Sequence, residues 1–282
     1  MPVIPWDVLG YTLGPTVALV VVFALVTGWL GYARAALDRD PVGRVIELLP
    51  YVSVLAVVLL FNAYLRPRID DFSSAFAVNF THEIHDFEGN LVAHLQEAIP
   101  EPMFLYFSAV YVIGYGALLM YPPIAYIVLD DVVKPAMLFV AYAVNYFVGA
   151  LCYIVFNVFG PRNLQVGRVR QPLFEEFPEV MYITSAINTN SNAFPSLHTS
   201  MAVMVLVFAW YTREEYPRWL AIVAVIAPSV VLATMALGIH WFTDVIAGIG
   251  LALLSVGTAQ WSVALYRGDG DDDRRPLDPV KL

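Results

Sequence analysis

Two polar clusters interrupt an otherwise apolar chain, and their residue types are those of phosphoryl chemistry. The first, Asn192-Ala193-Phe194-Pro195-Ser196-Leu197-His198-Thr199-Ser200, leads into a hydrophobic run. Proline is favoured in a first helical turn, and Asn192 or Ser196 can cap one. A helix start offers unpaired N–H groups and partial positive charge, which suit an oxyanion such as phosphate. Ser196 adds a hydroxyl donor and His198 a proton. The plainer alternative is an interfacial helix cap with an incidental histidine.

The second cluster is Gly238-Ile239-His240-Trp241-Phe242-Thr243-Asp244, at the junction of two further apolar runs. In helical geometry residues four apart share a face, so His240 and Asp244 can touch. A carboxylate bonded to one ring nitrogen fixes the tautomer and leaves the other nitrogen free as nucleophile or base. An Asp at the edge of a membrane span is costly and so usually functional. The alternative is a His–Asp pair that only ties two helices together.

Together the clusters describe a phosphoryl-transfer site, in which one histidine attacks phosphorus and the other protonates the leaving oxygen. Such a site needs a permanent cation on the phosphoryl oxygens. Arg162, Arg168 and Arg170 stand just before the first cluster, and at least one of them is expected to reach it. No cofactor is called for. His82, His85 and His94 raise a metal site, but HEIH lacks the HExxH spacing that puts two ligands on one helix face. Surface histidines are the simpler reading.

These residues must be positioned by membrane helices. Of 282 residues, 59% are hydrophobic and 14% charged, against about 25% charged in soluble domains. The mean hydropathy is +0.68. Seven apolar runs, near 12–33, 46–65, 104–128, 135–159, 197–212, 219–238 and 243–265, approach the roughly 20 residues a span requires. The expected fold is an all-α polytopic bundle of six to seven transmembrane helices. The first span lacks the flanks of a cleaved signal peptide and is expected to be retained. Residues 1–130 read as N-terminal spans, 131–266 as a catalytic bundle and 267–282 as an acidic tail.

Arg34, Arg39, Arg44, Arg213, Arg218 and Arg267 fall on one side of that topology, which the positive-inside rule makes cytoplasmic. Both clusters then face outward, with residues 66–103 and 160–196. Within 66–103, Ile84, Phe87, Leu91 and Leu95 recur at helical spacing and predict an amphipathic segment on the outer interface. The net charge of −9 excludes a nucleic-acid partner. With Lys134 and Lys281 as the only lysines, it points to a prokaryotic, halophilic plasma membrane. The single cysteine, Cys152, reads as a packing residue.

PSLH followed by HWFTD and Gly248 resembles the type 2 phosphatidic acid phosphatase and vanadium haloperoxidase superfamily. The resemblance covers roughly residues 160–250. It implies a helical bundle that works through a phosphohistidine without a metal. On it His240 is the nucleophile, Asp244 its orienting partner, His198 the general acid and Ser196 a phosphate ligand. The chain departs from the family pattern in three places. No K-x6-RP appears, only GPRNLQVGRVRQP, so Arg162, Arg168 and Arg170 stay open as the cation. Leu197 replaces a common glycine. Thr234, six before His240, stands where the phosphatase branch has arginine. The branch resembling inositol phosphorylceramide synthase reads FPSLH and lacks that arginine.

The expected function is therefore a membrane phosphatase or phosphotransferase acting on a lipid phosphate or diphosphate among membrane lipids. A polyol pocket built from Asn188, Asn190 and Asn192 would favour transfer over hydrolysis. The competing classes are a transporter or structural membrane protein, with the His–Asp pair as proton relay or clamp, and an inactive superfamily member.

Overall fold

The computed structural model describes residues 6–65, 77–177 and 192–268. Its regular elements are helices, because a chain in lipid must satisfy its backbone groups internally. In order they are α1 (Trp6–Thr27), α2 (Trp29–Leu37), α3 (Pro41–Leu65), α4 (Thr81–Glu88) and α5 (Leu91–Ala98). Then come α6 (Pro102–Tyr126), α7 (Val133–Val155), α8 (Pro161–Leu164) and α9 (Pro172–Glu176). Last are α10 (Leu197–Tyr211), α11 (Pro217–Ala236) and α12 (Phe242–Gly268).

Five of these, α3, α6, α7, α11 and α12, are long and apolar enough to cross a membrane. The run expected as one span near 12–33 is instead broken. α1 and α2 meet at 80°, hinged at Gly28 with φ 77°, a left-handed conformation that glycine adopts without steric cost. The fifth expected span, α10, has only 15 residues, roughly 22 Å of helix. It is the buried centre of the bundle: Met201, Met204, Val205 and Phe208 are fully enclosed by α7, α11, α12 and α6. By contrast α3 packs mainly on α7 and turns Val57 and Leu60 outward, as a lipid-facing helix does.

Polar contacts close the two ends differently. At one end Arg39 pairs with Asp130, Lys134 with Glu215 and Arg267 with Glu47, while Arg44 donates to the Ile127 carbonyl. The two histidine clusters lie at the other end.

The segment expected to be one amphipathic element is two short helices, α4 and α5, separated at Gly89. The apolar residues of the expected stripe divide between the protein and its outer surface. Ile84 is buried, but Phe87 and Leu91 are exposed, and Thr81, Val92, Ala93 and Gln96 face inward instead. The break at Gly89 rotates α5 relative to α4, so one helical period cannot describe both. The start of this segment, residues 66–76, and the acidic tail from 269 lie outside the described residues.

Candidate active site

The first cluster is fixed from both sides of its helix start. Phe80, Phe156 and Phe194 meet edge-on at 5.1 to 5.5 Å, and Ala193 N donates to the Val158 carbonyl at 3.0 Å. Pro195 precedes the cap rather than lying in the first turn. Ser196 is the N-cap of α10, its Oγ accepting from Thr199 N at 3.3 Å. Its own N–H donates to the Asp244 carbonyl at 3.0 Å, which joins the two clusters directly. Asn192 does not cap. It is bridged to Val158, buried, and its Oδ1 has no hydrogen-bond partner among the described residues. Leu197 packs where α7 has Gly149; a Cβ there would come within 2.5 Å of Leu197 Cδ2.

His240 precedes α12, so the expected helical face shared with Asp244 does not form. The two meet because Asp244, in the first turn of α12, folds back. Its Oδ2 accepts from Trp241 N at 2.8 Å and stands 3.5 Å from His240 Nδ1. The closer partner of Nδ1 is the Ala193 carbonyl, at 2.8 Å. A carbonyl only accepts, so Nδ1 carries a proton, and in the neutral imidazole Nε2 then keeps its lone pair. Asp244 is fully buried, and its Oδ1 has no hydrogen-bond partner among the described residues. The backbone N–H groups of Ile239 and His240 both donate to the Thr234 carbonyl at 3.0 Å, tightening the turn.

His198 and His240 face each other with ring centroids 6.3 Å apart. His198 is held between two tyrosines of α6: the Tyr111 ring stacks on it at 4.3 Å and 20°, and Tyr115 lies at 4.3 Å and 38°. The Tyr111 hydroxyl is 3.4 Å from His198 Nδ1. Tyr111 sits in a π-helical turn, Val110–Gly114, an irregularity frequent at functional sites. One turn deeper, Ser200 Oγ donates to Asn145 Oδ1 at 2.9 Å, and Asn145 Nδ2 to Ser255 Oγ at 3.3 Å. That fully buried network locks α7, α10 and α12 together.

The three arginines separate by environment. Arg170 is spent on structure, with two bonds to Glu101 at 2.8 and 2.9 Å and one to Glu175 at 2.6 Å. Those carboxylates raise its pKa, and Arg170 in turn holds the Glu101 carboxyl below the usual carboxylate range. Arg168 is exposed on a turn. Arg162 differs: its N–H donates to the Gly238 carbonyl at 3.0 Å, two residues before His240. Its guanidinium lies over Phe174, 4.7 Å from the ring centre, and Nη1 is buried without a partner among the described residues. Burial lowers its pKa, an effect the Tyr111 hydroxyl opposes. Arginine nonetheless stays charged in proteins. A buried cation with an unused donor is a ready anion ligand, because leaving a charged donor unmet is costly.

A family model described as the PAP2 superfamily matches residues 82–258, more than half of the chain. The chain belongs to the PAP2 superfamily. No curated protein and no solved structure matches it. For a PAP2 protein a phosphatase or phosphotransferase type of reaction is supported, and with it an enzyme.

Within this PAP2 chain, Tyr111 and Tyr115 were not visible as site residues from sequence. They lie in an apolar run where aromatics at this spacing read as core, and only the placement of α6 against α10 gives them a role. His85 does not gather with His82 and His94, which are exposed; its ring meets Trp241 edge-on at 6.0 Å. Asn188 and Asn190 lie outside the described residues.

Proposed function

We propose that this PAP2 protein is a lipid-phosphate phosphatase or phosphotransferase working through a phosphohistidine on His240. The observation that carries the reading is the pairing of His198 with a His240 whose Nδ1 proton is pinned by Ala193, freeing Nε2 for attack. Nε2 bonds phosphorus as the P–O bond to the leaving group breaks. His198 delivers a proton to that oxygen, and water or an alcohol, deprotonated by His198, then releases the phosphoryl group. The imidazolium character gained by His240 is stabilised by the buried Asp244 carboxylate. Arg162 holds the phosphoryl oxygens, with Ser196 and the α10 helix start beside it. Arg168 and Arg170 are given no part in the reaction.

The site lies at the end of the bundle opposite Arg39, Arg44 and Arg267. By the positive-inside rule this supports an extracytoplasmic interface of a plasma membrane, with lipid tails reached between helices. Residues 1–130 are proposed to complete that lipid-facing wall around the 131–266 bundle. Transfer to a polyol is a second reading, favoured by the buried Asn192 Oδ1, an acceptor suited to a hydroxyl that has no hydrogen-bond partner among the described residues.

The test offers purified protein prenyl, diacyl and ether lipid phosphates, with and without myo-inositol. Inorganic phosphate identifies hydrolysis, and a new phosphodiester identifies transfer. Activity is expected to survive EDTA. An absence of both products, with no acid-labile phosphate on His240, overturns the reading.

A further inference from the structure

The start of α12 is occupied by carboxylates from within the protein. Asp244 Oδ2 takes Trp241 N at 2.8 Å, Glu88 Oε2 takes Phe242 N at 2.9 Å, and Glu88 Oε1 takes Thr243 N at 2.6 Å. Three consecutive N–H groups, of the four that a helix start leaves unmet, are thereby satisfied. The Asp244 contact alone is half of a capping box, in which the third helical residue reaches back to the cap. Glu88 supplies the rest from another element.

Glu88 is half-buried and ends α4, and His85, one turn earlier, packs on Trp241. The α4–α5 hairpin is itself bolted down. Thr81 Oγ1 accepts from Phe159 N at 3.0 Å, and Gln165 donates to the Gly89 carbonyl at 3.1 Å. Gln96 spans Arg170 N at 2.8 Å and the Ala236 carbonyl at 2.9 Å. The hairpin thus holds both the arginine segment and the turn that presents His240.

We propose that Glu88 is a positioning residue for the reaction at His240, clamping the first turn of α12 so that His240 and Asp244 keep their alignment. This rests on the phosphohistidine reading above. Glu88 touches neither His240 nor substrate, and acts through the backbone of Phe242 and Thr243. A carboxylate at a helix start also favours the dipole, so a purely stabilising role is the alternative to be excluded.

The experiment compares wild type, Glu88→Ala, Glu88→Gln and Thr81→Val in the full chain. It reads steady-state phosphate release, and separately the Kd of orthovanadate and of inorganic phosphate. Vanadate takes an imidazole nitrogen as an axial ligand, so its affinity reports the alignment of His240; phosphate reports only the anion site. Glu88→Ala is expected to lower kcat about 10- to 100-fold with KM nearly unchanged, the scale of an ångström of misplacement. Its vanadate Kd rises by a similar factor while its phosphate Kd holds. Glu88→Gln, whose amide oxygen can still accept an N–H, recovers part of both. Thr81→Val removes another α4 anchor and leaves kcat near wild type.

The proposal is overturned if Glu88→Ala keeps wild-type kcat, if Thr81→Val loses as much, or if vanadate and phosphate affinities fall together. Should wild type give neither inorganic phosphate nor a new phosphodiester from any lipid, the functional reading fails by itself. The ratio of vanadate to phosphate affinity then still decides the clamp.

Discussion

The carbonyl oxygen of Ala193 lies 2.8 Å from His240 Nδ1, closer than the Asp244 carboxylate at 3.5 Å. One stretch of backbone, Ala193 to Ser196, therefore both starts the helix of His198 and sets the tautomer of His240. The two imidazoles are coupled through the main chain as well as by proximity. Asp244 caps Trp241 and, in the proposed mechanism, stabilises charge on His240.

This division makes Asp244→Asn informative. Where a carboxylate alone holds the tautomer, Asp→Asn costs about 10⁴-fold in kcat. Here the carbonyl keeps the tautomer, and the amide oxygen of Asn can still accept from Trp241 N. The expected loss is nearer 10²-fold, from the missing charge alone. Steady-state kinetics of D244N beside His240→Ala, which should be inactive, checks it; equal losses would return the tautomer to Asp244.

A general acid matters in proportion to how poor the leaving group is. His198→Ala should lower turnover of an alkyl lipid phosphate by about 10²- to 10⁴-fold. With p-nitrophenyl phosphate, whose phenolate leaves unprotonated, phosphoenzyme formation should fall far less. Rapid-mix measurement of the p-nitrophenolate burst separates the steps. A uniform loss on both substrates would remove His198 from the leaving-group side.

The arginines should separate as their surroundings do. Arg162→Ala is expected to cost about 10²- to 10³-fold in kcat, the scale for losing one fixed donor to a transition-state oxyanion. Arg162→Lys should recover little, since a point charge does not reproduce the guanidinium fork. Arg168→Ala should match wild type. Arg170→Ala breaks an exposed ion-pair cluster and should lower the melting temperature slightly with little effect on kcat.

The tyrosine pair around His198 should act on the acid step alone. Tyr115→Leu removes one aromatic face from the ring and frees it to rotate. Turnover of alkyl substrates is expected to fall about 10-fold or more, as misorientation of a catalytic group does. Vanadate affinity, set by His240, should hold. Tyr115→Phe keeps the face and should behave as wild type, and a matching loss in that variant would assign the effect to the hydroxyl.

Much of the site was legible because the chemistry needs particular side chains at helix starts in an apolar chain. Ser196, His198, His240 and Asp244 could be put forward as candidates from type and spacing, and the fold brings them together. The helical face assumed for His240 and Asp244 was not correct, since Gly238, with φ 67°, turns the chain just before His240. A Cβ at Gly238 would lie 2.9 Å from the Arg170 carbonyl oxygen, so that turn sits directly on the arginine segment. Choosing among the arginines required knowing that Glu101, in a distant part of the chain, had already claimed Arg170. Glu88 carried no signal either, as one more acid in a polar stretch.

Composition and periodicity by themselves determined that this is a membrane helical bundle with a histidine pair at one end. Apolar runs of span length admit few other folds, and polar residues at their ends stand out. Tertiary structure decided which acceptor holds His240, which arginine keeps a buried donor unmet among the described residues, and which tyrosines and acid lie around the two histidine segments. Those outcomes depend on contacts between segments far apart in sequence, where a few ångströms separate a ligand from a spectator.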